Sequence, residues 1–136
     1  MAGITETTDY TVAEADFSGK EHTNAIITAY TEHSVDMDAQ DMCKVLQTFN
    51  DGENNGGFTD WYIPAAGQLF EIYTNRTNIN AALSAMTATQ FSFADYYWSS
   101  SEYSSGGGWF VDFRSGNVDY SGKDSGRRVR FVRDLQ

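Results

Sequence analysis

Residues 97–133 read YWSSSEYSSGGGWFVDFRSGNVDYSGKDSGRRVRFVR, and the fold turns on this stretch. Aromatic, aliphatic and arginine residues recur through it as a lattice: Trp98, Tyr103, Trp109, Val111, Phe113, Val118, Val129, Arg130, Val132 and Arg133. Small polar residues fill the gaps. Trp109, Val111 and Phe113 share one face of a strand, and Phe110, Asp112 and Arg114 share the other. The alternation predicts the first three buried and the second three exposed. Arg114-Ser115-Gly116-Asn117 reads as a hairpin turn. Val129, Phe131 and Arg133 alternate with Arg128, Arg130 and Val132 in a last strand. A fixed frame with loose filler points to a rigid scaffold presenting a changeable surface, which is a design for binding rather than for catalysis.

Upstream, the period is helical. Residues 1–19 are polar, and the brief alternation at Tyr10-Thr11-Val12 reads as an edge strand or a loose arm over residues 1–16. Ile26, Ile27 and Tyr30 share one helical face. Asp38, with Asp41 three residues on, reads as the cap of a helix carrying Met42, Val45, Leu46 and Phe49. Asp51–Gly57 is a turn cluster. Pro64, the single proline, suits the first position of a helix with Leu69, Phe70 and Tyr73 as its apolar stripe. Thr77 or Asn78 caps a short helix holding Ile79, Leu83 and Met86. Helices followed by a small antiparallel sheet make an α+β domain. At 136 residues the chain reads as a single domain, residues 1–136.

Charge is uneven. Residues 1–60 hold 12 acids and 2 bases, whereas residues 61–136 hold 7 of each. An acidic chain is poorly suited to phosphate neutralisation, so no nucleic-acid partner is expected. No apolar run is long enough to span a bilayer, and Met1-Ala2-Gly3-Ile4 does not read as a signal peptide. Cys43 is the single cysteine, so stability comes from packing rather than from an internal disulfide.

Reactive chemistry has little support. Cys43 sits inside an amphipathic helix, where a buried inert thiol is expected; pairing it with His22 or His33 gives a Cys-dependent hydrolase as the enzymatic alternative. Asp51-Gly52-Glu53-Asn54-Asn55 has the composition of a calcium loop without its ligand spacing, and no Cys/His cluster suits zinc, so no metal is expected. Gly106-Gly107-Gly108 leads into a strand rather than a helix N-terminus, so it forms no phosphate cradle. Glu102 and Asp112 read as solvated or ion-paired carboxylates. Arg127, Arg128, Arg130 and Arg133 crowd the chain's end, and pairing with carboxylates of the acidic half is the expected use. No catalytic residue and no cofactor follow from the residues.

Trp61-Tyr62-Ile63-Pro64, Gln68-Leu69, Tyr97-Trp98-Ser99-Ser100-Ser101-Glu102-Tyr103, Trp109-x-Val111-x-Phe113-x-x-Gly116-x-Val118 and Val129-Arg130-x-Val132-Arg133 together, over residues 17–133, resemble a bacterial and phage domain of C-type lectin fold that also ends some collagen-like adhesins. More narrowly, the chain is similar to the variable protein of a diversity-generating retroelement. There, miscopied template adenines rewrite the end of a gene, and template AAC codons give residues other than Lys, Glu, Gln, Met and Trp. Between Ser104 and Arg127 only Trp109 and Lys123 belong to that excluded group.

The resemblance implies variable, ligand-contacting positions at Ser104, Ser105, Gly106, Gly107, Phe110, Asp112, Arg114, Ser115, Asn117, Asp119, Tyr120, Ser121, Gly122, Asp124, Ser125, Gly126 and Arg127. Phe110, Tyr120 and Arg114 would be the anchors. It implies a non-catalytic domain on a phage particle or bacterial surface, binding a protein or glycan on a cell. The calcium-binding Trp-Asn-Asp run and disulfide pair of sugar-binding C-type lectins are absent. A structural or oligomerising tip of a fibre or adhesin is the alternative.

Overall fold

A computed structural model describes residues 4–32 and 42–134. Among the described residues five helices precede a three-stranded antiparallel sheet, in an α+β arrangement: α1 Tyr10–Glu14, α2 Gly19–Glu32, α3 Met42–Asp51, α4 Ala66–Thr74, α5 Arg76–Ala85, β1 Tyr96–Ser104, β2 Gly107–Asp112 and β3 Val118–Gly122. The sheet order is β1-β2-β3. The Asp38–Asp41 cap and His33 lie outside the described residues.

The helices form where the spacing places apolar residues on one face, with several local departures from the sequence reading. Tyr10–Val12 is helical because the Asp9 carboxylate accepts from the Thr11 N–H at 2.9 Å and caps a short helix. The N-terminal arm nevertheless touches the sheet, through a parallel bridge from Glu6 to Glu102. Pro64 precedes α4 by two residues instead of opening it, and the last short helix starts at Arg76 after Asn75, leaving Met86 at its exposed end.

The start of α4 shows why small residues are needed there. Ala65, Ala66 and Gly67 are buried against β1 and the chain following α1. Alanine at the cap position has no side-chain acceptor, so others serve. The Ser101 hydroxyl accepts from the Ala66 N–H at 2.9 Å, the Asp16 carbonyl accepts from the Gly67 N–H at 2.8 Å, and Gln68 Oε1 accepts from the Ala65 N–H at 2.9 Å. A register shift in β1 between Trp98 and Glu102 turns Ser99, Ser100 and Ser101 inward. Ser99 donates to the Trp109 carbonyl at 2.7 Å, the Ser100 N–H donates to the Pro64 carbonyl at 2.9 Å, and Ser101 donates to the Asp16 carboxylate at 2.7 Å. The serine run is thus a set of brackets joining sheet, α4 and the N-terminal segment. The WYIP segment is held from the other side: Tyr62 bridges Val132, and its hydroxyl donates to Asp134 at 2.8 Å. Burial, reinforced by Asp134, pushes that hydroxyl's pKa up to about 12.

One sheet face carries Tyr97, Trp109 and Val111 against the helices. Leu69, Phe91, Tyr97, Val111 and Phe113 form one core cluster, and Ala13, Ala66 and Trp109 another. A third cluster, built on Ile26, Cys43, Leu46 and Ile63, lies between α2, α3 and the WYIP segment.

The opposite sheet face is also covered, and this overturns the expected exposure of Gly107, Phe110 and Asp112: every residue of β2 is buried. The chain after β3 folds back over this face. The Lys123 N–H donates to the Gly106 carbonyl at 3.0 Å, the Trp98 indole to the Ser125 carbonyl at 3.2 Å, and the Trp98 N–H to the Arg128 carbonyl at 2.8 Å. Arg127 lies 4.1 Å above the Phe110 ring and 4.7 Å above that of Tyr96. Where a last strand was expected, the chain makes two isolated bridges, Tyr97 to Arg128 and Tyr62 to Val132. It is used as a cover rather than as a fourth strand.

The close approach at α4 is directly testable. A Cβ on Gly67 would sit 2.5 Å from the Asp16 carbonyl oxygen and 2.6 Å from that of Glu14, both backbone atoms, whereas nothing lies within 4 Å of one on Gly106. Gly67→Ala is expected to lower the free energy of urea unfolding by about 2 kcal/mol, and Gly106→Ala to leave it within about 0.5 kcal/mol. Equal effects would contradict the packing described.

Candidate recognition surface

The β2–β3 hairpin and its flanking turns position the exposed candidates. Asp112 anchors the turn at one end: its N–H donates to the Asn117 carbonyl at 2.9 Å, and its carbonyl accepts from Gly116 at 2.7 Å. Gly116 has φ +79°, and a Cβ there would strike the Tyr73 ring at 2.3 Å, so both backbone and packing require glycine. Burial acts to raise the Asp112 pKa. Arg114 outweighs it, donating from its N–H, Nε and Nη2 at 2.9, 3.1 and 3.1 Å, and holds the carboxyl below its usual range. Arg114 also donates to the Tyr96 hydroxyl and lies over its ring.

The predicted positions therefore divide. Ser105, Gly106, Arg114, Ser115, Asn117, Asp119, Tyr120, Gly122, Asp124 and Gly126 are exposed. Ser104, Ser121, Ser125 and Arg127 are half-buried, and Gly107, Phe110 and Asp112 belong to the interior. Of the three expected anchors, Arg114 is tied to Asp112, Phe110 lies beneath Arg127, and Tyr120 stays 49% exposed. Phe110 and Tyr120 occupy opposite faces of the sheet, because Tyr120 pairs with Trp109 and Phe110 with Asp119.

Tyr120 is exposed yet held. Its ring stacks on Tyr103 at 3.8 Å with 7° between planes and meets the Trp109 ring edge-on at 5.7 Å. The Trp109 indole in turn donates to the Thr7 carbonyl at 2.9 Å. The Tyr103 pKa is raised, first by its hydrogen bond to Tyr120 and then by burial. The Tyr120 N–H is taken by the Asp119 carboxylate at 2.8 Å.

Beside Tyr120 a cleft of about 510 Å³ opens between α1 and the hairpin, lined by Tyr10, Glu14, Trp109, Asn117, Asp119 and Tyr120 among others. Tyr10 and Glu14 were missed by sequence reasoning, which left residues 1–16 as an arm or edge strand; the Asp9 cap was the available signal. A second exposed group, Ser105, Gly106, Gly122 and Asp124, gathers at the other end of the hairpin. Lys123 is pinned there by an ion pair with the buried Glu102.

Other chemistry is closed off or structural. Cys43 is 1% exposed, so the thiol of the hydrolase alternative is shut from solvent. His22, unremarked as a core residue from sequence, is buried between Asp16 (Nε2 to Oδ2, 3.6 Å) and Ser100 (Nδ1 to Oγ, 3.4 Å). Ser100 is itself 2% exposed, so this Asp-His-Ser line braces the interior and offers no nucleophile to a substrate. Among the described residues no three His, Cys, Asp or Glu side chains come together for a metal, and no helix is long and apolar enough to cross a membrane. The terminal arginines make intramolecular contacts: Arg133 grips Asp60 at 2.9 and 3.2 Å, holding its carboxyl below the ordinary value, and Arg128 pairs with Asp95 at 2.8 Å.

The family model of the Lcl C-terminal domain matches residues 8–133. The crystal structure of a fimbrial protein from Bacteroides ovatus ATCC 8483 shares the fold, with a TM-score of 0.59 and 20% identity over 85% of this chain; the match covers 23% of that protein's chain. No curated protein matches.

The two aromatic positions expected to act alike are expected to separate on mutation. Phe110→Ala should cost about 3 kcal/mol of stability in chemical denaturation, as for a buried phenylalanine. Tyr120→Ala should cost about 1 kcal/mol, the scale of its ring pairs. Similar costs would restore the expected exposure of Phe110.

Proposed function

The chain belongs to the Lcl C-terminal domain family, and from that premise we propose that it is a non-catalytic recognition domain. Its scaffold is of C-type lectin kind, displayed on a phage particle or bacterial surface, and its ligand is a protein or glycan on a cell. The contact surface is the outer side of β3 with its flanking turns and the cleft beside α1. Retroelement diversification acts on the exposed positions, Ser105, Gly106, Ser115, Asn117, Asp119, Tyr120, Gly122, Asp124 and Gly126, and spares the interior ones.

The observation that carries this reading is Tyr120: half-exposed, clamped between Tyr103 and Trp109, and flanked by small or polar residues that face solvent. A rigid aromatic anchor gives contact area at low entropic cost, and adaptable polar neighbours tune it. Rim residues with no packing role can change without cost to the fold.

The experiment is a displayed library. Randomising Ser115, Asn117, Asp119, Tyr120, Gly122, Asp124 and Gly126 together is expected to leave most clones folded and to yield binders against unrelated protein targets. Randomising Gly107, Phe110 and Asp112 is expected to unfold most clones. A surface library that fails to fold, or gives no binders, contradicts the reading. The retroelement component also requires a near-identical template repeat beside the gene, differing only at adenines.

A further inference from the structure

We infer that the cleft between α1 and the β2–β3 hairpin receives a cationic side chain, an arginine or lysine carried on an exposed segment of a partner protein. The inference rests on the recognition reading above and names the ligand chemistry of that surface.

At about 510 Å³ the cleft falls within the ~300–1,000 Å³ typical of ligand sites. Its aromatic walls are accessible: Tyr10 is 58% exposed and Tyr120 49%. Its ionisable lining, apart from tyrosine, is all carboxylate, Glu14 from α1 and Asp119 from β3, and no lysine or arginine lines it. Tyrosine faces and carboxylates together are the groups that hold a guanidinium or ammonium, by cation–π contact and charge-assisted hydrogen bonds.

The rest of the sheet makes the asymmetry plain. Its cations are already engaged: Arg114 with Asp112, Lys123 with Glu102, Arg128 with Asp95, and Arg127 over Phe110. Among the described residues Glu14 and Asp119 have no cationic partner, and Asp119 spends one oxygen on the Tyr120 N–H. Two of the chain's unmatched carboxylates therefore line the cleft. The chain's net charge of -10, concentrated in its first 60 residues, adds a long-range pull on a basic partner. It works against a sulfated or otherwise anionic glycan and is indifferent to a neutral one.

The test is a titration of the full-length ¹⁵N-labelled chain, followed by amide chemical shifts. The probes are acetyl-Gly-Arg-Gly-Arg-Gly-amide, the same peptide with citrulline for arginine, maltotriose and dextran sulfate. The arginine peptide is expected to move the amides of Tyr10, Glu14 and Asn117–Tyr120, with an apparent Kd that rises several-fold between 50 and about 200 mM salt as the charges are screened. Citrulline, which keeps the shape and loses the charge, should bind at least tenfold more weakly. Glu14→Gln with Asp119→Asn should weaken the arginine peptide at least tenfold while leaving the remaining spectrum folded, since asparagine keeps an acceptor for the Tyr120 N–H. Equal shifts with citrulline or maltotriose, arginine-peptide shifts confined to other residues or absent, or binding unchanged in the double variant would each overturn the inference. If the surface library still yields binders in that event, the cation fails and the recognition surface stands; failure of both removes the surface itself.

Discussion

A strand with no solvent-facing side holds this molecule together. Gly107–Asp112 is pressed on one face by Ala13, by Ala66 and Leu69 of α4, and by Phe91, Tyr97 and Phe113, and on the other by Arg127 over Phe110. A strand so enclosed tolerates neither a register slip, which would exchange Trp109 and Phe110 between differently shaped sites, nor a polar substitution lacking a partner. Asp112 is the polar exception, and three donors from Arg114 satisfy it. Because β2 is enclosed on both faces, β3 pairs along a buried neighbour, and Tyr120 is positioned by Trp109 beside it.

The second constraint is closeness. Three serines in β1, two alanines and a glycine at the start of α4, and Gly19 against Ile63 and Ala65 let backbones approach where larger side chains would separate them. Each serine hydroxyl or amide then meets a polar group that this approach buries. Through Asp16 the network reaches the segment after α1, so the bracket that fixes α4 also sets Tyr10 and Glu14 across the cleft from the hairpin. The candidate surface and the interior are in this way parts of one arrangement.

Much of this was legible in the sequence. The turn at Arg114–Asn117, the inward face of Trp109, Val111 and Phe113, the helix around Leu46 and the break at Asp51–Gly57 all follow from local period and turn chemistry. What was not legible depends on contacts distant along the chain. Phe110 and Asp112 alternate correctly for exposure, and only the return of residues 122–128 over them reverses that expectation. A run as apolar as Trp109–Phe113 also fits a strand covered on both sides, and that was the signal to weigh. His22 sits in a polar stretch, and its burial depends on Ser100, far along the chain. For the candidate site, the expected exposure holds at the hairpin turn and at Asp119 and Tyr120, and fails where the later segment crosses, at Phe110 and in part at Ser121.

Native-state hydrogen exchange of the backbone amides tests the doubly covered strand most directly. Amides of Gly108–Phe113 are expected to exchange only through global unfolding, with free energies equal to that from denaturation, while Ser115, Val118 and Gly126 exchange many-fold faster. Exchange at Phe110 and Asp112 as fast as at Val118 would show that the strand has an open face, and would contradict the account.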